Sequence, residues 1–440
     1  MWIEFERFAL SEGGRVALNE NKNGVLVATE SQNCRSVDGA LRGGLGVRYI
    51  KNGSGVVFAV PSDIQRAILL GYYDQSKGWV DVPVYVASNR KAYLYSEETG
   101  KFKNVYENLW DVRELCPEPI HKDKNSFFAV NDTAFYYLDK DGVIFEKEDV
   151  CNGSVCTFYD RVFYACEQGV RFSDVGNYTD YSSTSYGSGK INFFSGDGRV
   201  DKIIPYDDGI VVVKSNRLWL FRAAGAADQF SAEPLPYYGD KIVEKSAARC
   251  GKFILFITVG GAVFRLHGKT FVKLVDKLPE AFCAANVTTA ADGERYFVSA
   301  GESTLVIDAE SGSSYRSYSL VGMSSCDGSV VGAYKGKLCA FSAVGELPDG
   351  QTATYSVREW LAEDGVEKRI ESLRLFGEGV LTLSVSDGRG KIEKSVELDE
   401  CGVDVEIGLR AAAFELSLAL QAKTCLRKIA VKFNKVGGAA

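Results

Sequence analysis

The chain has 440 residues, 46% of them hydrophobic and 25% charged, with a formal net charge of −7; it is long enough for a large core, and its apolar share marks it as globular. The acidic balance argues against a broad phosphate-binding surface, and no stretch approaches the roughly twenty apolar residues that span a bilayer. With only two histidines, His121 and His267, triads and metal sites built on histidine are nearly excluded.

The first residues, MWIEFERFALSEGG, carry Glu4, Glu6 and Glu12 and lack a basic n-region and an uninterrupted apolar h-region, so they do not read as a secretion signal. The expectation is a protein folded in a reducing cytoplasm, its 11 cysteines serving as small buried thiols. Cys151 and Cys156 invite a metal or disulfide reading, but no second pair stands at a matching spacing. Residues 36–55, SVDGALRGGLGVRYIKNGSG, are polar and Gly-rich and read as an extended arm or loop. Within them GALRGGLG does not follow a strand and open a helix, as a phosphate cradle must. GVVFAVP (55–61) and QRAILLGYY (65–73) read as opening strands, and one of these early segments is expected to close a ring by completing its last blade.

From 83 onward one motif keeps returning: a β-rich run, a turn of Asn, Asp, Gly or Lys, then another β-rich run. PVYVASNRKAYLYS (83–96), SFFAVNDTAFYYLDKDGVIFE (126–146), TFYDRVFYACEQGVRFS (157–173) and IVVVKSNRLWLFR (210–222) are followed by FILFITVGGAVFRLHGKTFVKL (253–274), RYFVSAGESTLVID (295–308) and VVGAYKGKLCAFS (330–342). With Tyr93, Tyr136, Phe163, Trp219, Phe264, Leu305 and Leu338 taken as equivalent second-strand positions, the average step is about 41 residues, the length of a four-stranded propeller blade. The 45 glycines suit tight hairpins, since Gly supplies the positive φ that two-residue turns demand. ENLWDVREL (107–115), ended by Pro117, is the best helical candidate. Between Asp174 and Gly198 the rhythm stops, and a Ser, Tyr and Gly insert is expected to project from one face of the disc. After Leu347, six short strands alternate without the blade spacing, with Leu381, Leu383, Val385 and Phe414, Leu416, Leu418, Leu420 each defining one buried face.

The fold class is therefore all-β: a six- or seven-bladed β-propeller with a C-terminal antiparallel β-sandwich. Residues 1–54 are assigned to an N-terminal arm and leading strands, 55–345 to the propeller and 354–440 to the sandwich. Paired carboxylates are the remaining catalytic candidates, because some propellers cleave glycosides with two acids. Asp139 and Asp141, Asp197 and Asp201, and Asp207 and Asp208 qualify, yet each pair lies where a β-turn wants Asp beside Gly, which accounts for them without catalysis. LDKDG starts like a calcium loop but lacks the later ligands and the terminal Glu.

One segment is more telling. GVRFSDVGNYTDYSS (169–183) resembles a phrase of the propeller-type virion proteins of tailed bacteriophages, matched at Val170, Phe172, Ser173, Asp174, Gly176, Asn177 and Tyr181. DGALRGGLGVRYI (38–50) is similar to that family's arm, with Gly43-Gly44 where the family has proline. The resemblance covers roughly residues 36–345 and rests on short motifs. It implies a non-enzymatic tail nozzle, tail hub or head-tail component. Such a protein, made in the bacterial cytoplasm and carried in the virion, forms a homo-oligomeric ring through contacts with portal, adaptor or tail proteins. No cofactor, metal, membrane span or specific nucleic-acid binding is implied. The expected contact residues are Arg42, Leu45 and Arg48 of the arm and Ser173, Asp174, Asn177, Tyr178, Tyr181 and Tyr186 of the long loop. An acidic conduit would let DNA slide. The alternative is a glycan-binding or glycan-cleaving propeller, motivated by acidic turns beside Trp79, Trp110, Trp219 and Tyr186.

Overall fold

The computed structural model describes residues 2–10, 25–74, 78–118, 126–181, 187–283, 287–326, 328–343, 347–348, 351–361, 366–421 and 423–436. Among them the chain forms strands joined by turns and short 3-10 segments, with no α-helix. Contacts divide it into two units. One is Tyr49–Ala300 with Ser319–Ala340, and the other is Met1–Arg48 with Gly301–Tyr318 and Phe341–Ala440.

The first unit is a β-propeller. Its inner strands are Ile64–Asp74, Glu114–Pro117, Cys151–Phe158, Val200–Tyr206, Ala248–Cys250, Thr288–Ala291 and Val321–Cys326. Each lies against the next, and the last lies against the first, so the ring is closed. Six four-stranded sheets form separate blades. At the remaining place in the ring, numbered blade 6 here, Thr288–Ala291 pairs antiparallel with Arg295–Ala300. Blade 7 is completed from the N-terminal side. Ile50 donates its N–H to the Leu338 carbonyl at 3.0 Å, Leu338 donates to Phe58 at 2.9 Å, and Ala59 bridges Lys337. GVVFAVP is thus the early segment that helps close the ring, as expected of one of the two, and QRAILLGYY opens the propeller as the inner strand of blade 1.

Burial explains the recurring motif. The runs that repeat are the central pair of each blade, which is covered on both faces by neighbouring blades: Arg161–Cys166, Gly209–Lys214 and Phe253–Ile257 are buried at every position. Outer strands such as Gly142–Glu148 are largely exposed. One equivalence shifts. Phe163 lies on the second strand of blade 3, Arg161–Cys166, whereas Tyr93, Tyr136, Trp219 and Phe264 lie on third strands. The third strand of blade 3 is Gly169–Phe172, so part of the uneven spacing comes from that choice and not from an insert.

Three expectations are corrected here. ENLWDVREL is not helical: 107–113 is an irregular link and Glu114–Pro117 is the inner strand of blade 2, in register with Phe127–Val130. Two turns of helix cannot offset nucleation alone, and the strand gains a full ladder. The loop after Asp174 is not a projecting insert throughout: Gly189–Asn192 is the outer strand of blade 3, paired with Gly169–Phe172. The arm at 36–55 carries the strands Cys34–Val37, Ala40–Gly43 and Gly46–Tyr49. Gly44 is required there, because a Cβ would stand 2.6 Å from the Asn33 carbonyl carbon.

The second unit is antiparallel β for the most part and is not confined to the C-terminal segment, since Trp2–Phe5 pairs with Cys425–Lys435 and Glu30–Gln32 pairs with Ala353–Trp360. Its long strand Lys368–Ser386 serves two sheets. Up to Glu378 it pairs with Cys425–Lys435 and, over 372–375, with Val403–Glu406; from Gly379 on it pairs with Lys391–Leu398 and Phe414–Leu420. Leu381, Leu383 and Val385 are buried, as the alternation requires, and so are Phe414, Leu416, Leu418 and Leu420. Phe5 and Trp360, from the two sheets, meet at 6.2 Å between ring centroids.

Candidate binding site at the propeller mouth

In every blade the link from the preceding blade and the turn between the central strands fall on one face of the ring. That face carries Ser88, Asp111, Asn131, Lys245 and the segment before Thr288. It opens on a central cavity of about 660 Å³ lined by all seven inner strands, a volume within the range of small-molecule sites. Of its charged lining residues, five are basic (Arg66, Arg113, Lys202, Lys245 and Arg249) and two acidic (Asp111 and Glu114). An acidic protein has a basic centre. The acidity of the chain as a whole does not extend to the lining of this channel.

The charges are held by specific partners. The Glu114 carboxylate accepts from Lys202 Nζ at 2.6 Å, Ser154 Oγ at 2.9 Å and the Val155 N–H at 3.0 Å. At the mouth, Asp132 accepts from Arg113 Nη2 and Lys245 Nζ, both at 3.1 Å, so that the lead-in to blade 5 reaches the central turn of blade 2 across the ring. Burial pushes the Asp132 carboxyl up, but Lys245 and Arg113 outweigh it and hold the group below its usual range. Arg66 differs. Its Nε and Nη1 donate to the Arg113 and Gln65 carbonyls, each at 2.9 Å, and it has no ion pair among the described residues. Burial lowers its affinity for a proton, opposed by Glu114 and reinforced by Arg113. Among the described residues Arg249 likewise donates to backbone carbonyls alone, those of Gly251 and Pro205, both at 3.1 Å.

The carboxylates singled out from sequence fall into two groups. Asp139 is a turn residue, its Oδ1 accepting from the N–H groups of Asp141 at 2.7 Å and Gly142 at 3.1 Å; Asp207 adopts positive φ in the turn it shares with Asp208. Asp197 and Asp201 are both buried and are not simple turn acids. Asp197 accepts the Trp219 indole N–H at 3.0 Å. Asp201, on the inner strand of blade 4, accepts from Arg199 Nε at 3.1 Å and Ser215 Oγ at 3.2 Å, while Arg199 also pairs with Glu244. Burial first and Glu244 second raise the Asp201 pKa. A raised native pKa means the folded chain keeps this proton to higher pH than the unfolded one, so the contribution to stability falls as pH rises through that interval. Asp201→Asn, which fixes the neutral form, should shift Tm more favourably at pH 7 than below the ordinary aspartate range. Melting curves across that range check it; a pH-independent difference would contradict the assignment.

The expected contact residues are not gathered into one surface. Arg42, Arg48 and Asn177 are exposed. Leu45 is fully buried and its carbonyl accepts the Tyr318 hydroxyl at 3.0 Å. Ser173 is fully buried, its Oγ accepting the Val162 N–H at 3.0 Å, and the half-buried Asp174 caps Val175 at 2.7 Å. Tyr178 and Tyr181 are buried among Phe128, Phe135 and Tyr164. Leu45, Ser173, Tyr178 and Tyr181 are thus core residues: an aromatic in a Gly- and Ser-rich stretch can be an anchor as well as a contact, and the local composition does not separate the two. Tyr186, His121 and the side chain of Trp79 lie outside the described residues. Trp110 is exposed and stacked by Arg90, and His267 is exposed beside Phe253.

All 11 cysteines are free thiols; eight are buried, Cys116 and Cys283 are half-buried, and Cys401 is exposed. Burial first, then Glu114, pushes the Cys116 thiol up to about 12. Among the described residues no group of three or more His, Cys, Asp or Glu is placed to hold a metal ion.

No family model matches the chain, and no curated protein matches its sequence. Among solved structures it is similar to BBS1N, crystallised in complex with ARL6DN, at 10% identity and a TM-score of 0.43 over 67% of this chain and 95% of that one. It is similar to the β-propeller domain of Myceliophteria thermophila Cps50 (Swd1) at 9% identity and a TM-score of 0.43, over 64% of this chain and all of that one. PorZ, a surface component of the type-IX secretion system of Porphyromonas gingivalis, matches at 11% identity and a TM-score of 0.39, over 77% of this chain and 46% of its own. The likeness is one of fold.

Proposed function

We propose that the chain is a non-enzymatic structural protein that works through protein-protein contacts, of the tail nozzle or hub kind its motifs resemble, and that copies of it associate into a ring. The observation that carries this reading is the set of large side chains exposed on the loops around the propeller mouth: Tyr238 is 85%, Phe194 65% and Trp110 45% exposed. Exposed aromatics of this kind anchor interfaces, where each supplies a large contact area at low entropic cost. Arg42 and Arg48, exposed on the other unit, are available for partner contacts. Among the described residues no helix is long and apolar enough to cross a membrane.

Sedimentation velocity over a concentration series tests the reading. The unaltered chain should form a discrete species larger than a monomer, and Phe194→Ser with Tyr238→Ser should return it to monomer while changing stability by only about 0.5 kcal/mol each, as exposed substitutions do. A monomer at all concentrations, or glycan turnover that disappears in an Asp201 or Asp197 variant, would overturn it.

A further inference from the structure

We propose that the central channel of the propeller is a binding site for a small polyvalent oxyanion, anchored by the guanidinium of Arg66. Four observations converge. The cavity, about 660 Å³, is enclosed on its sides by the ring of inner strands, which suits a small molecule and not a polymer. Its lining carries five basic residues against two acidic ones, although the chain as a whole is acidic. Glu114 acts on Arg66 through its charge, but both its carboxylate oxygens are committed to Lys202, Ser154 and Val155, so it gives the guanidinium no hydrogen bond. Arg66 and Arg249 use backbone carbonyls alone among the described residues, which fixes their planes without cancelling their charge.

The remaining chemistry of the wall agrees. Thr288 and Ser325 bring hydroxyls to the lining, groups that donate to an oxyanion without adding charge, whereas Thr289 and Ser324 donate to the Lys245 and Gly322 carbonyls. Arg presents its donors in a planar fork that matches a phosphate or carboxylate group through two parallel bonds. A partly desolvated guanidinium beside Arg113, in no ion pair among the described residues, gains from an anion brought from solution. Binding of that anion should stabilise the folded chain by mass action.

Isothermal titration and melting curves with inorganic pyrophosphate, and in a separate arm citrate, test the site at low ionic strength, with potassium chloride at matched ionic strength as control. A saturable response to either anion at one equivalent per chain supports it; pyrophosphate alone marks a phosphate ligand, citrate alone a carboxylate one. Arg66→Gln should weaken binding by about tenfold or more, the loss expected for a charge-assisted hydrogen bond, and Arg66→Lys should retain part of it. Arg249→Gln tests the same channel independently if Arg66→Gln does not fold. No response beyond that of chloride, or affinity unchanged in both glutamine variants, would overturn the proposal.

Discussion

Tyr181→Ala is expected to destabilise the chain by about 3–5 kcal/mol, the range for emptying a buried aromatic site. The ring sits 5.7 Å from Phe135, 5.4 Å from Tyr164 and 5.8 Å from Phe145, so it fills the interface between blades 2 and 3. Its hydroxyl is buried without a hydrogen-bond partner among the described residues, and Tyr181→Phe should accordingly be neutral or slightly stabilising, since it removes a desolvated polar group at constant shape. The same segment is held from below by the buried Arg161, whose Nη1 donates to the Ser173 carbonyl at 2.8 Å and also to Gly187. Deleting this stretch should therefore cost folding, contrary to the expectation of a projecting contact loop. Calorimetry of the two Tyr181 variants decides: a melting temperature unchanged by Tyr181→Ala would return the segment to the surface.

Gly379→Val should cost at least about 3 kcal/mol, combining a strained backbone with a steric clash. Gly379 has φ of +91°, and a Cβ there would stand 2.9 Å from Thr424 Cα. It lies at the point where Lys368–Ser386 leaves one set of partners for another, so the strain falls on both sheets that the strand joins. Gly379→Ala should fall between the parent and Gly379→Val. Urea unfolding measures the series, and equal midpoints for all three would mean that the turn relaxes at no cost.

Legibility in the sequence follows burial. The central hairpin of each blade is covered on both faces, so its positions must be apolar and its turns must use Asn, Asp or Gly; Asn131 Oδ1, accepting from Thr133 at 2.8 Å and Ala134 at 2.7 Å, shows one such turn being made by its own side chain. This local requirement repeats at the blade length, which is why the propeller could be read from spacing. The alternation in the last strands was legible for the same reason: one face of each is buried.

What only the tertiary structure decided depends on partners distant in sequence. Inner strands such as Glu114–Pro117 and Ala248–Cys250 are short and carry polar residues that face the channel, so nothing local distinguishes them from links. The arm became strands because Tyr318 and the 425–435 strand, some hundreds of residues away, satisfy its backbone. Tyr178 and Tyr181 became core because blades 2 and 3 close over them. The basic channel could not be inferred from a net charge of −7: net charge is a sum over the surface, whereas Arg66, Lys202, Lys245 and Arg249 acquire a common field only when ring closure brings inner strands of separate blades to one axis.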